Sequence, residues 1–173
     1  MTTTFAQISS TTLSADAASI TLTLPTSGYS DIHLVLRLKS SDSGTGYVTG
    51  VLRCNGESGS VYASITAISR GSTPSPSNSF SQTSIPFYDI PQVGNTGVFS
   101  TTYVDILNYR NTTRHKTMLL RSDLERASGG TTSIACGTYC PSGFAALSSF
   151  TISASSGNLV SGSSVDVYGI TKE

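Results

Sequence analysis

Serine and threonine alternate with aliphatic residues in short runs along most of this chain. Of its 173 residues, 32 are serine and 24 are threonine. In the run Ser19-Ile-Thr-Leu-Thr-Leu24 every second residue is apolar, and a period of two places successive side chains on opposite faces of a strand. No segment keeps a helical period over several turns. The pattern predicts an almost purely β protein, with apolar residues on one face of each strand and hydroxyls on the other.

The charge composition excludes two classes of partner. Lysine and arginine number 10, aspartate and glutamate number 10, and charged residues make up 12% of the chain. A chain with zero net charge has no electrostatic footprint for nucleic acid or for an anionic membrane. Its first seven residues lack the basic and apolar segments of a signal peptide, and no window reaches the about 18 apolar residues of a membrane span. We expect a protein made in the cytoplasm that binds neither nucleic acid nor membrane.

Turn residues separate the strand-like runs. The turn signals are Pro25-Thr-Ser-Gly28, Ser43-Gly-Thr-Gly46, Asn55-Gly56, Gly129-Gly130 and Ser156-Gly-Asn158. Strands at such spacing predict an all-β fold: an antiparallel β-sandwich, jelly-roll-like, with about 8–11 strands. Residues 1–12 are expected to form an N-terminal arm or a first edge strand, and residues 13–173 a single β-sandwich domain.

The run from Asp31 to Lys39 shows the sharpest alternation of apolar and polar residues. It predicts a core row of Ile32, Leu34, Leu36 and Leu38, and an outward row of His33, Val35, Arg37 and Lys39. Residues 71–79, which include Pro74 and Pro76, and residues 90–97 are rich in proline and small polar residues. Both segments are therefore predicted to be surface loops, either binding loops or passive connections.

The chain has few of the residues that catalysis needs, and they do not occur in the required combinations. Nucleophilic catalysis needs a base beside the nucleophile, yet His33 lies mid-strand and His115 lies in a basic turn. Glycoside hydrolysis needs two facing carboxylates, and only Asp89 and Asp105 lie outside turns and strand ends. We expect no enzymatic activity, no catalytic residues and no cofactor.

The three cysteines, Cys54, Cys136 and Cys140, are too few for a metal site and odd in number for a complete disulfide framework. A structural zinc ion needs four cysteine or histidine ligands, and the remaining candidates are scattered. We expect no metal. The cysteines are predicted to be small buried apolar residues, with a loop disulfide between Cys136 and Cys140 as the alternative.

The densest basic segment runs from Tyr109 to Lys116 and contains Arg110, Arg114 and His115. Basic residues interleaved with an aromatic one can bind nucleic acid or acidic glycans. In a chain of zero net charge, the alternative is a solvated loop or a patch of intersubunit salt bridges.

Four groups of segments, taken in order, carry a resemblance to a known family. They are Ser19-Ile-Thr-Leu-Thr-Leu-Pro25 with Tyr29-Ser-Asp-Ile-His-Leu-Val-Leu36, Asn55-Gly-Glu-Ser-Gly-Ser-Val-Tyr62, Ile106-Leu-Asn-Tyr-Arg-Asn-Thr-Thr-Arg-His-Lys-Thr117, and Gly162-Ser-Ser-Val-Asp-Val-Tyr-Gly-Ile170. In this order and spacing they resemble a group of small tailed-bacteriophage virion structural proteins, over residues 13–170. Two places depart from that pattern. Cys54 stands where an aromatic residue precedes Asn-Gly, and the stretch from Cys136 to Cys140 stands where members carry tryptophan.

The resemblance implies a β-sandwich module located in the virion. The first implied role is a capsid decoration or cement protein that stabilises the head shell, and the short chain without a trimerisation stalk favours this role. The alternative role is a tail-fibre tip or adhesin that binds the host surface. A jelly-roll lectin is a third hypothesis, in which Tyr29, Tyr62, Tyr103 and Tyr109 stack on sugar rings.

The decoration role predicts the partners and the contact residues. The partners would be the major capsid protein and identical copies of the chain in a homotrimer, with a host-surface glycan under the alternative. The N-terminal arm could add a strand to a neighbour. The residues expected to touch partners are Phe5, Ile8, Pro74, Pro76, Tyr109, Arg110, Arg114 and His115.

Overall fold

Twelve antiparallel strands in two sheets make up the computed structural model, which describes residues 4–70, 73–125 and 129–171. No helix occurs in these ranges, so none there could span a membrane. The strands are β1 (Thr4–Thr12), β2 (Ser19–Thr23), β3 (Asp31–Leu38), β4 (Tyr47–Cys54), β5 (Tyr62–Arg70), β6 (Thr73–Gln82), β7 (Ile85–Pro91), β8 (Ser100–Ile106), β9 (Lys116–Leu124), β10 (Thr131–Tyr139), β11 (Ser149–Ala154) and β12 (Ser164–Thr171). The larger sheet has the order β1-β12-β3-β8-β9-β10-β5-β6, and the smaller has the order β2-β11-β4-β7.

Eight of these strands form a jelly roll. They are β1, β12, β3 and β8 in one sheet and β2, β11, β4 and β7 in the other. Numbered among themselves along the chain, they have the orders 1-8-3-6 and 2-7-4-5, in which each sheet is built from strands distant in sequence. The predicted antiparallel, jelly-roll-like sandwich is therefore confirmed.

The other four strands extend the larger sheet beyond the jelly roll. The pair β5 and β6 is inserted between β4 and β7, and the pair β9 and β10 between β8 and β11. Because β9 pairs with β8 and β10 pairs with β5, the two insertions join into one continuous extension of the sheet. Strand β7, at the edge of the smaller sheet, packs against the inner side of this extension.

Strand β3 follows its predicted alternation closely. Ile32, Leu34, Leu36 and Leu38 are buried in the hydrophobic cluster between the sheets. Lys39, which follows the strand, is buried instead of facing outward, and its Nζ donates a hydrogen bond to the Asn95 carbonyl oxygen at 2.7 Å. Lys39 and Asn95, which are distant in sequence, are thus neighbours in the fold.

The segment 71–79 was predicted to be a loop, and this prediction is wrong for its described part. Residues 73–82 form the edge strand β6, in which Pro74 pairs with Ser69 and Pro76 pairs with Ala67. Proline has no N–H to donate, so it is tolerated where its nitrogen points away from the neighbouring strand, which an edge strand allows. Residues 71 and 72 lie outside the described ranges.

Candidate functional site

In their middle portions, strands β5 and β10 reverse the usual polarity of a sandwich sheet. Their inner faces carry the buried hydroxyl residues Ser64, Thr66 and Ser133. Their outer faces carry Ile65, which is 64% exposed, and Ile134, which is 47% exposed. A shift of one residue would exchange the two faces of a strand. The observed register exposes Ile65 and Ile134 to solvent, so the packing beneath the strands must favour it.

The space under the extension explains this register. Strand β7 lies against β10, and a Cβ added at Gly137 would come within 2.6 Å of the Ile85 side chain. Ser133 donates a hydrogen bond from its Oγ to the carbonyl oxygen of Tyr88 at 3.3 Å. In the middle of the two strands the inner side therefore has room for small residues, and it offers Ser133 a polar partner. Tyr62, Ile68 and Tyr139 are buried on the same inner faces nearer the strand ends, whereas Ile65 and Ile134 lie outside.

The exposed apolar residues are neighbours in the sheet. Ile65 pairs with Cys136, Cys136 pairs with Leu119, and Ala67 pairs with Ile134. We call this set (Ile65, Ala67, Leu119, Ile134 and Cys136) the inverted face. Beside it lies a shallow depression of about 370 Å³, bordered by residues that include Ala67, Pro74 and Ile134. A flat apolar surface of this kind is typical of an interaction site rather than of a solvated sheet.

The four predicted contact residues on the edge strands do not form one site. Phe5 lies on β1 and Pro74 on β6, at opposite edges of the eight-stranded sheet. At about 4.8 Å per strand these edges are about 33 Å apart. Phe5 is exposed and stacks on Tyr168 with 4.8 Å between ring centroids. Ile8 packs against the core from the bulge in β1, so it is not a free contact residue.

A polar and aromatic cluster occupies the outer side of the jelly-roll half. His33 Nδ1 lies 2.6 Å from Asp105 Oδ1, and Arg121 Nη2 lies 3.5 Å from Asp105 Oδ2. The ring of His33 stacks on that of Tyr103 at 5.9 Å. The Asp105 carboxylate thus contacts the imidazole of His33 and the guanidinium of Arg121, which lie on the two strands beside β8, and links the three strands.

The basic segment forms a braced loop between β8 and β9, at one end of the sandwich. Tyr109 is buried, and its hydroxyl donates to the carbonyl oxygen of Pro25 at 2.7 Å. Lys116 is also buried, and its Nζ donates to the carbonyl oxygens of Asn111 and Arg114. Burial lowers the pKa of Lys116 and raises the pKa of Tyr109. Both residues hold the loop from inside, so Tyr109 offers no exposed ring to a partner.

Arg110, Arg114 and His115 are the exposed members of the basic segment. The ring of His115 contacts that of Phe144, with 4.9 Å between centroids. Of the four tyrosines expected to stack on sugars, Tyr62 and Tyr109 are buried, which removes them from that role.

The cysteines are all free, and the structure separates them by environment. Cys54 is buried, Cys136 is exposed and Cys140 is partly exposed. The alternative of a loop disulfide between Cys136 and Cys140 is therefore wrong, and so is the expectation of burial for Cys136. Within the described ranges, no group of three or more histidine, cysteine, aspartate or glutamate residues lies close enough to hold a metal ion.

The inverted face was missed in the sequence because its residues fit both registers. In Tyr62-Ala-Ser-Ile-Thr-Ala-Ile68, hydroxyl and aliphatic residues alternate, and the pattern alone does not say which set is inside. One signal was present. Ile134-Ala-Cys-Gly137 places its bulkiest residue on the same face as Cys136, opposite the smaller Ala135 and Gly137.

Comparison with known proteins gives no relative for this chain: no family model, curated protein or solved structure matches it. Its function has to be argued from the geometry of these surfaces.

Proposed function

We propose that the protein is a non-enzymatic structural protein of a tailed-phage particle, a decoration or cement protein that associates through the inverted face. The observation that carries the proposal is the exposure of Ile65 and Ile134 while Ser64, Thr66 and Ser133 are buried beneath them. The ordered motifs from Ser19 to Ile170 support the phage context. The jelly roll supports a structural role, since it presents wide sheet faces.

The energy available at the inverted face suits an assembly of many copies. Covering a fully exposed isoleucine is worth about 1.5–3 kcal/mol. Ile65 and Ile134 are 64% and 47% exposed, so covering both contributes about 2–3 kcal/mol per copy. The two isoleucines are only part of the contact, since an oligomer would also cover Ala67, Leu119 and Cys136 and the backbone around them. On a particle, repeated contacts add further through effective concentration.

The charges around the inverted face point to a flat, uncharged partner. Arg121 pairs with Asp105, and Asp123 accepts a hydrogen bond from Thr132 at 2.6 Å. Arg121 and Asp123 are one cation and one anion beside the apolar residues, so this border has no excess of either sign for a charged ligand. Identical copies of the chain and the head shell are the proposed partners, and the resemblance implies three copies in each oligomer.

Mass measurement of the purified protein tests the association. Multi-angle light scattering should show a concentration-dependent oligomer for the unmodified chain and a monomer for the double variant Ile65→Lys, Ile134→Lys. Val93→Lys is the matched control, because Val93 is 46% exposed and lies outside both sheets. A monomer for the unmodified chain, or equal dissociation by the control, contradicts association through the inverted face.

The copy number in virions tests the location. Quantitative mass spectrometry of purified particles should find the protein in numbers comparable to the major capsid protein. Immunogold labelling should place it on the head. A few copies confined to the tail tip would refute the decoration role and support the adhesin.

A further inference from the structure

Two arginines in the loop between β8 and β9, Arg110 and Arg114, have no side-chain partner among the described residues. The guanidinium groups of Arg110 and Arg114 make no hydrogen bond or salt bridge to any described residue. Every other described arginine or lysine side chain has one: Arg37 with Gly162, Lys39 with Asn95, Arg53 with Thr83, Arg70 with Asp89, Lys116 with Asn111 and Arg121 with Asp105. Since each of the other six described cations bonds to a backbone carbonyl or a carboxylate, the two unbonded guanidinium groups are the described cations that are available to an external anion.

The loop that carries these arginines is rigid. Asn108 has a positive φ of 48°, and its N–H donates to Asp31 Oδ1 at 2.8 Å. The N–H of Thr113 donates to Asn111 Oδ1 at 2.7 Å. With Tyr109 and Lys116 buried beneath, the loop backbone is fixed before any ligand arrives, which lowers the entropic cost of binding.

Three neighbouring depressions surround the loop. The largest, of about 430 Å³, shares Arg110 with a second of about 250 Å³. It shares Asn108 and Asn111 with a third of about 230 Å³, which Arg114 borders. Because the depressions lie side by side around one loop and share lining residues, a ligand long enough to reach two of them could contact both arginines.

The lining determines the class of ligand. The described residues around the three depressions include no aspartate or glutamate. They supply guanidinium, amide and hydroxyl groups together with the Tyr29 ring; the polar members include Ser30, Asn108, Asn111, Thr112, Thr117 and Ser148. Guanidinium groups bind carboxylates in a bidentate manner, and amides and hydroxyls bind sugar hydroxyls.

We propose that the loop 107–115 binds an acidic saccharide, with Arg110 and Arg114 pairing with its carboxylates. A nucleic acid is disfavoured, because its binding requires several cations to neutralise phosphates and stacked aromatic rings to hold bases. This inference does not rest on the decoration role, since it concerns a different surface from the inverted face.

Calorimetric titration with an alginate hexasaccharide, which carries one carboxylate per sugar, tests the proposal. The unmodified protein should bind it, and neutral maltohexaose should bind at least about tenfold more weakly, since a charge-assisted hydrogen bond contributes about 1.5–3 kcal/mol. Arg110→Gln and Arg114→Gln should each weaken alginate binding by about tenfold or more.

Arg37→Gln is the matched control, because it removes the same charge from the exposed face of β3. Arg37 lies about 20 Å along the strand from Asp31, which holds the loop. The control should bind alginate like the unmodified protein. The proposal is overturned by absence of alginate binding, by equal binding of maltohexaose, by an equal loss in Arg37→Gln, or by tighter binding of a polyphosphate of the same charge. None of these results would alter the light-scattering test of the inverted face.

Discussion

Two buried threonines in the eight-stranded sheet differ in their hydrogen bonding, and the same substitution should affect them in opposite directions. Thr102 donates a hydrogen bond from its Oγ1 to Ser122 Oγ at 3.0 Å, with both residues buried. The Oγ1 of Thr131 is buried without a hydrogen-bond partner among the described residues. We expect Thr102→Val to destabilise the protein and Thr131→Val to stabilise it.

The magnitudes follow from the cost of an unsatisfied buried hydroxyl, which is about 1–3 kcal/mol. Thr102→Val leaves the Ser122 hydroxyl unpaired, so the free energy of unfolding should fall by about 1–2 kcal/mol after allowance for the buried methyl group. Thr131→Val removes such a hydroxyl and should raise the free energy by about 1 kcal/mol. Valine keeps the β-branched shape of threonine, so strand propensity hardly changes.

Calorimetry and urea unfolding measure both effects. For a chain of this length about 1 kcal/mol corresponds to a Tm shift of about 2–4 °C. Adding Ser122→Ala to Thr102→Val should restore most of the lost stability, because both partners of the hydrogen bond are then absent. Shifts of the two single variants in the same direction would refute the assignment of buried hydroxyls to the inner face.

Three further predictions concern the core and the titrating groups. Gly50→Ala should lower the free energy of unfolding by about 2–3 kcal/mol in urea titrations, because its Cβ would lie 2.1 Å from the Phe87 ring. Cys54 should resist a thiol reagent until the protein unfolds, since burial raises its pKa, whereas Cys136 should react at once in the monomer. The Tm should fall above about pH 9, where the unfolded chain ionises Cys54 and then Tyr62 while the folded chain keeps both protonated. Lys116 acts in the opposite sense, since its lowered pKa makes the folded state more stable as the pH approaches about 10.5. Cys54→Ala should reduce the fall in Tm, and an unchanged pH profile would contradict the burial of Cys54.

The jelly roll was predictable where the strands bury one apolar row. In β3 the residues Ile32, Leu34, Leu36 and Leu38 alternate with His33, Val35 and Arg37, and only one register buries the leucines. Strand β6 was not predictable from its composition, because prolines and serines do not show whether a segment lies free or pairs along an edge. Its position is decided by β5, which offers hydrogen bonds that no local pattern reveals.

The sequence predicted the face on which serine and threonine lie correctly for some strands and wrongly for others. The alternation predicted that serine and threonine coat the outside, as they do at Thr21 and Thr151 on the smaller sheet. In the middle of β5 and β10 the hydroxyl residues Ser64, Thr66 and Ser133 face inward instead, and Ile65 and Ile134 face outward. The physical reason is the packing of β7 beneath them, a contact between segments distant in sequence. The Arg110 and Arg114 loop was located correctly as basic and exposed, but its bracing by Tyr109 and Lys116 required the structure.

Labelling of the Cys136 thiol tests directly whether the inverted face is covered in the particle, because that thiol lies on the inverted face itself. Purified particles and the dissociated monomer would be treated with a maleimide, with Val93→Cys as an exposed reference site. If the inverted face binds other copies or the shell, Cys136 should react at least about tenfold more slowly in particles than in the monomer, since the thiolate must be accessible to react. The reference site should react equally in both. Equal labelling of Cys136 in particles and monomer would show that the inverted face binds neither other copies nor the shell.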